Sequence, residues 1–342
     1  MRTSALVAAL AAGLAAAHSA SSGPSSIHRR SQAKRASAYS LTGHYAGQDF
    51  LDLFNYDTHS SNGGLALFAT TKTAASNDLV EVKNGKVHLR MHPKADDGKL
   101  AAIKLTSKQQ YDMGLYIWDI ERMPQVCGAW PAIWSTGDNW PAGGEMDLIE
   151  YVSHHSMNGM SVHTAPGCWA GSTGYTGTPM LAGSNALNCD AEATSSQGCG
   201  FRTKENGTAG IGANYGGAGV YALDWSSSGI SMWFFPRNEI PADIHSKNPN
   251  PSSWKKPTLH VAEANCSPIS QYFSPQQWVI NTDLCGTWAS GTWNSDNSYA
   301  GQAEGSCASR TGYATCAEYV QNEAKDFKHA YWRIASLSVY NK

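Results

Sequence analysis

Three carboxylates fall within six residues of the 342-residue chain: Glu145, Asp147 and Glu150, in the run Gly143-Gly144-Glu145-Met146-Asp147-Leu148-Ile149-Glu150-Tyr151-Val152. The intervening Met, Leu and Ile have the character of a strand packed on a core. Strand side chains alternate, so Glu145 and Asp147 share a face. Glu150 lies five residues from Glu145 and in a regular strand points the other way. A lone carboxylate buried there costs on the order of several kcal/mol. A β-bulge between Asp147 and Glu150 removes the conflict, returning Glu150 to the acidic face and leaving Met146 and one of Leu148 or Ile149 on the other. Three acids gathered on one face suit chemistry better than stability. Two carboxylates with separated pKa values can act as ionised nucleophile and protonated acid, the pair that retaining glycoside hydrolysis uses. A third acid beside them raises its neighbours by like-charge repulsion. The retaining reaction wants carboxyls roughly 5–5.5 Å apart, whereas four pleat steps separate the two Glu backbones by about 13 Å. The strand must therefore curve and the side chains converge.

The elements able to hold such a strand are short and alternating. Lys86–Met91, Gly114–Ile120, Ile230–Phe235 and Ala330–Tyr340 read as half-buried strands between Gly, Asn and Pro turns. Gly is abundant (33 residues), and so are aromatics (12 Trp, 15 Tyr, 8 Phe), while only 15% of residues are charged. These features predict an all-β fold, a two-sheet antiparallel jelly-roll sandwich with a concave cleft. The stretches 170–185 and 207–219 read as long surface loops. Core packing accounts for about half of the Trp residues; stacking on flat ligand faces is the role left for the others. A net charge of −2 gives no footprint for nucleic acid or an anionic membrane.

Arg2, the uncharged run Ala5–Ala17 and the small residues Ala15-Ala16-Ala17 form a signal-peptide pattern over 1–17, too short for the roughly 20 residues a membrane helix needs. The Ser-rich, basic segment 18–35, with Arg29-Arg30 and Lys34-Arg35, reads as a propeptide or disordered leader, and a catalytic domain follows from 36 to 342. All eight Cys lie beyond it, an even count that predicts up to four disulfides in a secreted, extracellular protein. No C-x-x-C pair occurs, so zinc is not expected, and no metal or other cofactor is assigned to the site. Asn206-Gly207-Thr208 and Asn265-Cys266-Ser267 are N-glycosylation sequons. A monomer is expected.

The acidic hexapeptide resembles the E-x-D-x-x-E motif of glycoside hydrolase family 16, in particular its fungal laminarinase-like endo-1,3(4)-β-glucanases. Further segments look similar across most of the mature chain: Cys127–Trp134, Asn139-Trp140-Pro141, Ser161–Thr164, Val220–Trp225, Trp233–Arg237, Cys285–Ala289 and Tyr331-Trp332. The stretch Pro236–Pro257 departs from the pattern as an insertion. The resemblance implies a secreted endo-β-glucanase acting on β-1,3 and mixed β-1,3/1,4 glucan, with Glu145 as nucleophile, Glu150 as acid/base and Asp147 assisting. It also implies Trp134 and Trp140 as sugar platforms, with His163 and Trp288 as further substrate contacts. Trp130, Trp225 and Trp233 are assigned to the core. A glucan-binding lectin of the same architecture needs platforms but no matched acid pair. A cell-wall transglycosylase resembles E-x-D-x-E, without the extra residue seen here.

Overall fold

Period-two alternation becomes two large antiparallel sheets. The computed structural model describes residues 39–60, 62–92, 95–96 (backbone) and 99–342. The expected signal peptide 1–17 and the expected propeptide or leader 18–35 lie outside the described residues. The first sheet runs, edge to edge, Leu259–Ala262, Gly229–Pro236, Gly219–Ser226, Gly114–Arg122, Trp332–Asn341, Lys86–Leu89 and Val80–Lys83, with Ser40–Tyr45 also paired to Trp332–Asn341. The second runs Thr178–Pro179, Phe201–Arg202, Gly159–His163, Glu145–Glu150, Ala129–Thr136, Gln277–Leu284, Lys104–Ser107 and Phe54–Tyr56. The acidic strand thus sits inside its sheet, hydrogen-bonded on both sides, where a curved backbone is held by neighbours.

The two sheets close on one apolar layer, as a jelly-roll sandwich does. Trp118, Ile120, Tyr221, Leu223, Met232 and Ile334 of the first meet Ile133, Met146, Val162, Trp278 and Ile280 of the second. Trp118 and Trp278 pack edge to face at 5.1 Å. Six of the twelve Trp are buried (118, 225, 233, 278, 293 and 332), so Trp225 and Trp233 are core residues as expected. The outer face of the first sheet has its own apolar cluster, including Leu115, Ile117, Val220, Trp233 and Phe235, covered by Ile240, Ile244 and Trp254. The Pro236–Pro257 insertion therefore shields the sandwich on the face away from the acids. The 207–219 stretch is not purely loop, because Gly210–Tyr215 forms a short α-helix.

Between Leu284 and Trp332 the alternation lapses, and short helices take over: Gly286–Gly291, Cys307–Thr311 and Cys316–Asn322. Such short helices are marginal alone. Here a Thr315/Glu318 capping box starts the last of them, and Cys127–Cys307 and Cys285–Cys316 tie them to the strands. Cys168–Cys266 and Cys189–Cys199 tie down the long loop that follows Gly159–His163. All eight Cys are thereby paired. Thiol titration of protein denatured without reductant should find no reactive Cys, and two or more titratable thiols per folded chain would contradict this pairing.

Candidate active site

The acidic strand is built around an extra residue. Across to Ala129–Thr136 the partners are Ala132↔Glu150, Ile133↔Ile149 and then Trp134↔Asp147, so Leu148 has no partner. On the other side Asp147 faces Ser161 and Glu150 faces Gly159, leaving two residues opposite one. This is the β-bulge the acid spacing requires, and it puts Glu145, Asp147 and Glu150 on the outer face of the second sheet. One detail differs from expectation: Leu148 and Ile149 are both fully buried in the inter-sheet layer, because the bulge turns two consecutive side chains inward. The strand is entered through Gly144, whose φ of +75° and position against the Phe273 ring leave no room for a side chain.

Asp147 is the anchor of the cluster. It is 3% exposed, and its Oδ2 accepts from Ser161 Oγ at 2.7 Å and from His163 Nε2 at 2.8 Å. His163 Nε2 also lies 3.9 Å from Glu145 Oε1. Glu150 Oε1 accepts a 2.8 Å hydrogen bond from Trp130 Nε1. Glu145 and Glu150 both retain some exposure and can be reached from solvent.

The electrostatics follow from this crowding. Burial, reinforced by the Asp147 charge, pushes Glu150 up to about 8. The same two causes, in the same order, push Glu145 well above the usual carboxylate range. Burial alone would lower His163, but the charges of Glu145 and Asp147 outweigh it and raise the imidazole to about 9. Protonated His163 favours ionisation of Glu145, and no ion pair joins it to Glu150 among the described residues. Glu145, Asp147 and His163 each place a potential metal-ligand atom within 4.8 Å of the others. The His163–Asp147 hydrogen bond uses that proximity.

The aromatic residues divide differently from the sequence reading. Trp134 is half-buried with Nε1 donating to Asn281 Oδ1 at 2.8 Å, and Trp140 is 46% exposed just before the acidic strand. Trp130, expected in the core, is instead half-buried on the acid face and bonded to Glu150. Trp288 packs edge-on against Trp130 at 5.8 Å, which brings it to the Glu150 end of the cluster. His163, expected as a substrate contact, is 6% exposed, directly across the ladder from Glu145, and held by Asp147. Ser161 escaped notice, although Ser161-Val162-His163 alternation places it on the face of His163. Trp130 and Asn281 carried no local signal, since only cross-strand register brings them to their partners. Asn206 and Asn265 are both exposed. Among the described residues, no helix is long and apolar enough to cross a membrane.

Comparison with known proteins points to one family. A family model described as an XgeA-like, catalytic GH16 domain matches residues 54–340. An endo-1,3(4)-beta-glucanase of Arthroderma benhamiae is 36% identical over 279 residues, 79% of this chain and 57% of that protein. A probable glycosidase of Schizosaccharomyces pombe is 33% identical over 320 residues, 92% of this chain and 72% of that protein. A probable endo-1,3(4)-beta-glucanase of Aspergillus clavatus is 32% identical, with 47% of its length spanned. The chain therefore spans about half the length of two of these three relatives. Among solved structures, GH16 laminarinase 16A of Phanerochaete chrysosporium, with 6-O-glucosyl-laminaritriose in both donor and acceptor sites, has TM-score 0.79 at 31% identity, covering 89% of this chain and 99% of that one. An elongating GH family 16 beta-1,3-glucosyltransferase has TM-score 0.78 at 34% identity, with coverages of 89% and 100%.

Proposed function

We propose that this chain, which belongs to glycoside hydrolase family 16, is a secreted endo-β-glucanase that hydrolyses β-1,3 and mixed β-1,3/1,4 glucans with retention of configuration. The observation that carries the reading is the bulged strand, which sets Glu145 and Glu150 on one face with Asp147 and His163 beside them. Glu145 attacks the anomeric carbon while Glu150 protonates the departing oxygen. Glu150, now ionised, then takes a proton from the water that releases the sugar. Asp147 holds His163, and His163 in turn favours the ionised form of Glu145. Trp134, Trp140 and Trp288 supply faces for sugar rings. The names of the fungal relatives and the laminarinase with glucan in its donor and acceptor sites support this substrate class.

The same reading takes 1–17 as a signal peptide, 18–35 as a leader removed in processing and 36–342 as the catalytic domain of a monomer, glycosylated at Asn206 and Asn265. Two carboxylates complete the chemistry, so no cofactor is required. A second reading, transfer to a sugar acceptor in place of water, is favoured by the similarity to the elongating glucosyltransferase. Incubation with laminarin, lichenan and cellulose separates the two. We expect short oligosaccharides from laminarin, cleavage of lichenan next to its 1,3 bonds, no attack on cellulose, and β-anomers as the first reducing ends seen by NMR. Initial α-anomers would refute the double displacement. Products longer than the starting oligosaccharide, at low substrate concentration, would favour transfer.

A further inference from the structure

The bulge that turns Glu150 outward leaves backbone groups without ladder partners, in a region closed to water. Such groups must find other partners in a buried strand. Asn158, at the turn before Gly159–His163, supplies them: its Nδ2 donates to Leu148 O at 2.9 Å, and its Oδ1 accepts from Glu150 N at 3.0 Å. Leu148 O can only accept and Glu150 N–H can only donate, so the amide has one orientation. Asn158 is itself 0% exposed and fixed from behind. Its N–H donates to Thr208 Oγ1 at 2.9 Å, and its carbonyl accepts from Thr203 N at 3.0 Å. Thr208 O accepts in turn from the buried Tyr221 hydroxyl at 2.7 Å.

We infer that Asn158 is a positioning residue for the acid/base: its carboxamide replaces the hydrogen bonds that the extra residue breaks, and so sets the backbone from which Glu150 reaches the leaving oxygen. The inference rests on the reading of Glu150 as acid/base. No other side chain bonds both peptide groups that flank Ile149 among the described residues. Removing the amide lets the bulge relax or slip by one residue, which would swing Glu150 away from the acidic face. Glu145 lies on the far side of Asp147, where the pairing to Ser161, Val162 and His163 is regular, and it should keep its place.

The test compares laminarin, whose leaving group needs a proton, with 2,4-dinitrophenyl β-laminaribioside, whose leaving group does not. Asn158→Ala should lose about 100-fold or more in kcat/KM on laminarin, the scale of a displaced general acid, but less than roughly 10-fold on the aryl glycoside, where only the covalent step at Glu145 must remain. Asn158→Asp keeps the size and the acceptor and loses the donor; it should show the same split and serves if the Ala variant does not fold. Tyr319→Phe removes a hydroxyl that donates to Asp326 in the Cys316–Asn322 helix region and should lower the melting temperature while leaving the ratio between substrates as in the native protein. Amide hydrogen exchange at Glu150 should accelerate in both Asn158 variants, with Val162 unchanged. Equal loss on the two substrates, or native exchange at Glu150, would overturn the assignment. Glu150→Gln is run in parallel. If it does not discriminate between the substrates, the acid/base reading falls, and Asn158 is judged on the exchange at Glu150 alone.

Discussion

Glu150→Ala should lower laminarin hydrolysis by roughly 10²–10⁴-fold, the usual contribution of a positioned general acid, yet remain able to form the covalent intermediate from an activated aryl glycoside. Added azide should then restore turnover in that variant, giving a β-glycosyl azide, because a small anion occupies the space of the missing carboxyl and needs no general base. Glu145→Gln should abolish turnover on both substrates, with no rescue that retains configuration, because the attacking oxygen is gone. The asymmetry comes from the neighbourhoods of the two acids. Burial and the Asp147 charge outweigh the hydrogen bond from Trp130, which favours the ionised form, so Glu150 stays protonated up to about 8. Burial and the Asp147 charge raise Glu145 as well, and what favours its ionised form is His163 at 3.9 Å, an imidazole that remains charged to about 9. The measurement is kcat/KM on the two substrates with and without azide, and product configuration by NMR. Equal and unrescued loss in both variants would remove the basis for telling nucleophile from acid.

Asp147→Asn should move the alkaline limb of the laminarin pH profile to lower pH by on the order of one unit or more, the scale of one neighbouring charge. Asp147 is, after burial, the largest cause holding Glu150 up, so its neutralisation lets Glu150 lose its proton earlier. The variant should also flatten the dependence of stability on pH. Folded Glu150 holds its proton to about 8, whereas an unfolded Glu releases it near 4.5. Folded His163 holds its proton to about 9 against 6.5 unfolded. For both groups the native state binds more protons inside those windows. Their stabilising contribution is full below the lower value and is lost as pH rises through the upper one. The melting temperature of the native protein should therefore gain less, or fall more, between pH 5 and 9 than that of Asp147→Asn. An unmoved alkaline limb would show that the Asp147 charge does not set the ionisation of the acid.

What was legible in the chain itself was local. Alternation marked the strands, and the clash between five-residue spacing and period two demanded a bulge between Asp147 and Glu150. The acids and the even cysteine count needed no partner strand to be noticed. Their pairings did. Which cysteines join is decided where Cys127 and Cys285 meet the helices after Leu284. Trp130 read as core because its outward face is revealed only when Ala132 pairs with Glu150. His163 read as a substrate contact, yet register sets it opposite Glu145 and against Asp147, where its charge acts on the acids. Asn158 lies eight residues from Glu150 along the chain and bonds it directly across a turn. A side chain's period is written in its neighbours in sequence, but its hydrogen-bond partner depends on the register between strands, and only the packing of the two sheets selects that register.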